Sequence, residues 1–229
     1  MHTWLAVKPS GAPRYTRYEV VGFGVANGAP SVRVDRMGPD NYWFGARPEL
    51  LLDRRGPDAD SIIEKIRAAV ASYPYPHAYR AWPGPNSNTF TAHVARQVPE
   101  LGLGLPANAI GKDFLPGGAL VARAPSGTGV QLSLYGITGI LVAATEGVEL
   151  NVLGLSIGID AAAPGLKLPA IGRLAGFADA DRRDLFRCAV RSRRLRQASR
   201  NAPIISRSRF SSPASASGIA KSIAVVTAA

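Results

Sequence analysis

The run Gly84-Pro85-Asn86-Ser87-Asn88-Thr89-Phe90 holds the residue types best suited to chemistry in this chain. Asn, Ser and Thr carry side-chain oxygens that cap free backbone N–H groups, so their cluster after a Gly-Pro turn marks a helix start. Phe90, Val94, Ala95 and Val98 follow at three- and four-residue spacing and form the apolar stripe of that helix. A hydroxyl at such a start sits at the positive end of the backbone dipole, where an oxyanion or an attacking nucleophile is favoured. Ser87 is therefore the candidate nucleophile. The competing explanation is a plain first-turn serine, because Ser and Asn are the preferred residues at helix starts.

Other chemistries are excluded by what the chain lacks. Cys188 is the single cysteine, which rules out an internal disulfide and a cysteine-based metal site. His2, His77 and His93 have no carboxylate or cysteine at ligand spacing, so no zinc and no other cofactor is expected. The net charge of +11 suggests a nucleic-acid partner until it is located: residues 172–229 hold 12 Lys/Arg and 3 Asp/Glu. The body is nearly neutral, and an arginine run without a recognisable fold predicts no specific nucleic-acid site. No window reaches the roughly 18 apolar residues needed to span a bilayer, and Met1-His2-Thr3-Trp4 does not begin like a signal peptide. The chain as written is expected to be cytoplasmic, and an inner-membrane or periplasmic place follows only if a membrane segment precedes it. Oligomeric state is not legible.

The elements that must position Ser87 can be read in order. Residues 4–7 form a short apolar run. Residues 15–23 are aromatic and β-branched, and in residues 31–36 Val32 and Val34 alternate with Arg33 and Asp35. These predict three strands of one antiparallel sheet. Tyr42, Trp43 and Phe44 lie in a loop and are expected to plug the core rather than to wall a pocket. Asp58-Ala59-Asp60-Ser61 opens a first helix with Ile62, Ile63, Ile66, Ala69 and Val70 on one face. The tyrosine-proline segment 73–79 either lines a groove, with Tyr75, Tyr79 and Trp82 as candidates, or holds the two helices apart. The second helix stops near Pro99. Residues 101–118 are irregular, with Lys112 and Asp113 expected as an exposed pair. Alternation resumes at Val130, Leu132 and Leu134 and predicts a meander through residues 130–153. Beyond Gly172 the arginine-rich stretch 182–196 suggests a helix, and the Ser/Ala/Pro-rich stretch 206–217 suggests disorder.

His2-Thr3-Trp4-Leu5-Ala6-Val7-Lys8-Pro9, Arg14-Tyr15-Thr16-Arg17-Tyr18-Glu19-Val20-Val21-Gly22 and Trp82-Pro83 through Phe90 resemble a bacterial family known only as domain of unknown function 3750. Val98-Pro99-Glu100-Leu101-Gly102, Ala109-Ile110-Gly111-Lys112-Asp113 and Leu166-Lys167-Leu168-Pro169 continue the similarity in order. That resemblance implies an envelope setting but no activity. A fainter one is informative about chemistry. Permuted papain-like enzymes, such as the lecithin:retinol acyltransferase and NlpC-type groups, pair a histidine on the first strand with an Asn-Cys-x-x-Phe motif at a helix start. Asn86-Ser87-Asn88-Thr89-Phe90 is similar to that motif with serine for cysteine. This resemblance implies His2 as general base for Ser87, with Glu19 on the second strand as the residue that orients it and Asp35 as the runner-up. Asn86, Asn88 and the N–H groups of residues 87 and 88 would hold the oxyanion.

These observations combine into one α+β domain, residues 1–171, with an antiparallel sheet, two main helices and a C-terminal meander, in a permuted papain-like arrangement. Residues 172–229 follow as a basic, mostly disordered tail. The expected function is an amide or ester hydrolase or acyltransferase acting on a small or envelope-derived substrate through Ser87, His2 and Glu19. The alternative is a catalytically silent module that holds an envelope ligand in the same groove.

Overall fold

The computed structural model describes residues 1–160, 165–169, 172–175 and 221–228. Two antiparallel sheets and two helices make an α+β architecture. The first sheet is built from β1 (His2–Lys8), β2 (Thr16–Val20), β3 (Val32–Val34), β4 (Glu49–Arg55) and β12 (Ser222–Ala228), in the order β3-β2-β1-β12-β4. Leu5 pairs with Tyr18 and Tyr18 with Val34, so the three N-terminal strands lie side by side as their patterns predict.

Helices α1 (Ala59–Ala71) and α2 (Ser87–Gln97) cover one face of this sheet. Ile62, Ile63 and Ile66 of α1 and Phe90, Val94 and Ala95 of α2 pack against Leu5, Val7, Val20, Ile223 and Val225. The other face carries Trp4, Ala6, Ala224 and Val226 under Tyr15, Trp43 and Ala46. Both faces are dry, which is why β1 and β12 read as continuous apolar runs instead of alternating. Phe90 is fully buried, and truncating it to alanine would cost about 3–5 kcal/mol.

The domain does not end at residue 171. Ser222–Ala228, from the segment expected to be tail, is buried throughout and pairs with β1 over its whole length, from His2 with Ala228 to Lys8 with Ser222. On its other side it pairs with β4. Its Ile-Ala-Val-Val core has the β-branched composition of a central strand. The stretches 182–196 and 206–217 lie outside the described residues.

The second sheet is a meander in sequence order: β5 (Val121–Arg123), β6 (Gly129–Leu134), β7 (Thr138–Ala143), β8 (Gly147–Val152), β9 (Leu155–Asp160), β10 (Gly165–Leu168) and β11 (Gly172–Ala175). Its burial is inverted. Gln131, Ser133, Glu149, Asn151, Ser156 and Lys167 are buried, whereas the aliphatic residues that alternate with them are exposed. The polar face is dry because it meets Lys112 and Asp113, which are only 2% and 3% exposed rather than the expected surface pair. Lys112 Nζ donates to Glu149 Oε2 at 2.6 Å and to Asp113 Oδ1 at 3.1 Å. Lys167 Nζ donates to Glu149 Oε1 at 2.9 Å, and Ser156 Oγ to Asp113 Oδ2 at 3.2 Å. Burial opposes the charge on Lys112, but Asp113 and Glu149 outweigh it and hold its ammonium above the usual lysine range. The pairing is what makes a fully buried lysine tolerable. Among the described residues no helix is long and apolar enough to cross a membrane.

Candidate functional site

The first turn of α2 is fixed by Asn86. Its Oδ1 accepts from the N–H groups of Asn88 at 2.9 Å and Thr89 at 3.1 Å, and Thr89 Oγ1 accepts in return from the Asn86 N–H, a complete capping box. The Asn86 amide also donates to Ala81 O at 2.9 Å and Ile110 O at 3.0 Å. Gly111 must lack a side chain for this to fit: a Cβ there would come within 2.3 Å of Asn86 Nδ2, and its φ is +95°.

Thr3 ties β1 to this turn, a contact the sequence patterns did not reveal. Its hydroxyl lies 3.0 Å from Asn88 Oδ1, 2.9 Å from Thr91 Oγ1 and 3.3 Å from Ser87 O. Asn88 Nδ2 donates to Ile110 O at 2.8 Å and Met1 O at 3.4 Å. Strand alternation then turns His2 to the opposite face of the sheet from Thr3, toward Trp4 and Arg17. There its ring stacks on Trp43, with centroids 3.7 Å apart and planes 8° from parallel.

His2 Nε2 lies 3.3 Å from Glu19 Oε2, and Arg17 Nη2 donates to the same oxygen at 2.6 Å. Arg17 Nη1 donates to Gly38 O at 2.8 Å, and its guanidinium lies 4.0 Å from the Trp4 ring centroid. Burial pushes the Glu19 carboxyl up, but the His2 hydrogen bond and the Arg17 charge bring it below the ordinary carboxylate range. Burial lowers the His2 pKa more than Glu19 raises it. At neutral pH the pair is thus carboxylate and neutral imidazole, so the proton sits on Nε2 and Nδ1 is left as a base. Asp35 plays no part here: its Oδ1 accepts from the Arg17 N–H at 2.8 Å.

Ser87 and His2 both line a cavity of about 680 Å³. Phe23, Trp43, Phe44, Tyr79 and Trp82 form its aromatic wall, and Asn86 and Asn88 border it beside Ser87. Trp43 thus both covers the small core cluster and walls the pocket, whereas Phe44, 80% exposed, is pocket wall and not core plug. Gly22 lets the Tyr79 ring close in, since a Cβ at that position would lie 2.6 Å from the ring. Trp82 is anchored by its indole N–H to Leu153 O at 2.9 Å. Tyr75 is not part of the lining; its hydroxyl accepts from the Gly117 N–H at 2.9 Å, and its ring packs on Tyr73 and Phe114.

Two features limit what the site can do as it stands. Ser87 and His2 share the cavity, but Ser87 Oγ and His2 Nδ1 make no hydrogen bond to each other or to any described residue, and neither atom is sealed off. The oxyanion donors are fewer than the motif implies. Both amide hydrogens of Asn86 and the N–H of Asn88 are spent on the backbone and the cap, which leaves the Ser87 N–H. Arg17 was missed although it stands two residues from Glu19, on the same side of β2. No group of three metal-ligating residues occurs among the described residues.

Residues 1–114 match the model of a family described as protein of unknown function (DUF3750). Through them the chain belongs to that family. The matched segment holds β1–β4, both helices and, apart from Ala228, every residue lining the cavity. The second sheet, with the Leu166-Lys167-Leu168-Pro169 motif, lies beyond it. No curated protein and no solved structure matches the chain.

Proposed function

We propose that the cavity is the site of an amide or ester hydrolase or acyltransferase, with Ser87 as nucleophile, His2 as general base and Glu19 as the residue that orients His2. The observation that carries this is the shared cavity: Ser87, at a helix N-terminus and without a hydroxyl partner among the described residues, lines the same space as a neutral histidine whose Nε2 is held by a buried carboxylate. In the reaction, Ser87 Oγ attacks the carbonyl carbon as its proton passes to His2 Nδ1. The tetrahedral oxyanion takes the Ser87 N–H and the field of α2. His2 returns the proton to the leaving amine or alcohol, giving an acyl-serine. Water, or a second amine or alcohol, attacks that ester with His2 again as base and regenerates Ser87. The step requires Ser87 Oγ and His2 Nδ1 to approach to about 3 Å, a contact that free enzymes often lack until substrate binds. The aromatic wall suits a substrate with an apolar body around the reacting carbonyl. The strand-histidine and helix-serine order also supports kinship with permuted papain-like enzymes.

A second reading, a silent ligand-binding pocket, is favoured by the commitment of Asn86 and Asn88 to the scaffold. A fluorophosphonate probe separates the two. Labelling of the wild-type chain that is lost in Ser87→Ala and in His2→Gln supports catalysis. Equal labelling of wild type and Ser87→Ala removes Ser87 from the mechanism. No labelling, together with binding of apolar ligands that is unchanged in Ser87→Ala, establishes the binding module.

A further inference from the structure

The outer face of the second sheet is unpartnered among the described residues, and its composition is that of a core. Leu132, Ile140, Leu150 and Ile157 form one cross-strand row, each paired with the next across β6 to β9, and all are 39–52% exposed. The row Val130-Val142-Val148-Ile159 flanks it on one side and Leu134-Thr138-Val152-Leu155 on the other. Arg123, on the edge strand β5, is the only charged side chain on this face among the described residues.

We propose that this face is a self-association surface, on which the same sheet of a second copy packs to form a two-sheet sandwich. Strands of these lengths, at a spacing of about 4.8 Å and a rise of about 3.3 Å per residue, give a footprint of on the order of 550 Å² before side-chain relief. That is at the top of the range for the largest apolar patch of a monomer. Two such faces bury about 1,100 Å² or more, above the roughly 1,000 Å² that a specific interface needs. Chemistry selects the occupant. Rows that are branched aliphatic but for Thr138 on an alternating sheet interdigitate with another such sheet at about 10 Å, the packing of a sandwich core. A lipid surface is matched instead by aromatic and lysine residues around the apolar area; Tyr135 and Trp82 are exposed beside the β6–β7 and β8–β9 turns, but no lysine stands on this face among the described residues. A face nearly devoid of charge also meets its own copy without like-charge repulsion.

The test is the mass of the full chain by sedimentation velocity and light scattering from about 0.1 to 100 μM, with Leu150→Lys as the disrupting variant. A wild-type dimer that dissociates at least about 30-fold more readily in Leu150→Lys, with unchanged circular dichroism, is the expected result. If Leu150→Lys fails to fold, Leu150→Cys in a Cys188→Ser background serves instead: a short bis-maleimide should join it into dimers, whereas Ser10→Cys on the first sheet should stay uncrosslinked. A wild-type monomer throughout this range overturns the proposal, with or without binding to phosphatidylglycerol vesicles. A dimer that Leu150→Lys leaves intact overturns it as well.

Discussion

Replacing Glu19 by glutamine tests the electrostatic logic of the site. The substitution keeps the shape and a hydrogen-bond acceptor but removes the negative charge shared by His2 and Arg17. The Arg17 and Glu19 side chains are 1% and 3% exposed, so the guanidinium would be left buried with only Gly38 O as a strong acceptor. Its Nε already lacks a partner among the described residues. Stripping one member from a buried ion pair costs about 3–5 kcal/mol, and glutamine's residual hydrogen bond places the expected loss near the lower figure. For a chain of this size that is a fall of roughly 6–12 °C in Tm. Urea denaturation of wild type, Glu19→Gln, Arg17→Met and the double variant measures it. Methionine keeps an apolar stem against Trp4, so removing both charges together should return stability to within about 1 kcal/mol of wild type. The His2 pKa should fall further in Glu19→Gln, because burial and Arg17 then act on it without the opposing carboxylate. A single-variant loss below about 1 kcal/mol, or a double variant as unstable as the two singles summed, would refute the reasoning.

Asn86→Ala removes a helix cap, ordinarily worth about 0.5–2 kcal/mol, and also strands the Ala81 and Ile110 carbonyls, so denaturation should report a larger loss of about 2–4 kcal/mol. Asn86→Asp, which retains the cap but cannot donate, should fall between the two. Stability should also decline with acid. His2 and His93 both have folded pKa values depressed by burial, so in the unfolded chain they take up protons near pH 6.5 that the folded state refuses. Their contribution is whole above that pH and is lost as pH falls through the folded values; an unfolding free energy that is flat from pH 7 to 5 would contradict this. Probe labelling of Ser87, if His2 is its base, should persist to lower pH than a free imidazole allows.

Much of the first sheet and both helices was legible because local signals agree with the global fold there. The capping box announces α2, and Ile62, Ile63 and Ile66 mark the buried stripe of α1. Ser87 and His2, which line one cavity, were singled out by a helix-start motif and by a family resemblance respectively. The network beneath them was less visible, since Arg17 and Thr3 act through partners that strand pairing alone brings near. Lys112 and Asp113 looked exposed because charge usually is. Their burial depends on a sheet that turns its polar face inward, and alternation is the same whichever face is dry. The strand at Ser222–Ala228 was hidden for a related reason. Its partners, β1 and β4, lie far upstream in sequence, and its neighbours have the composition of a tail.

That strand also dictates when the domain can fold. β1 and β4 make no pairing with each other; each is joined to the sheet's other half only by β12. Until the residues through Ala228 are available, β1 therefore lacks a partner on one edge and β4, at the sheet's margin, lacks one on either edge among the described strands. For all that time the nascent chain presents the unpaired strand edges that β-sheet proteins ordinarily shield. The sheet closes only when β12 pairs with β1, from His2 with Ala228 to Lys8 with Ser222, a long-range pairing whose high contact order the N-terminal motifs do not foretell.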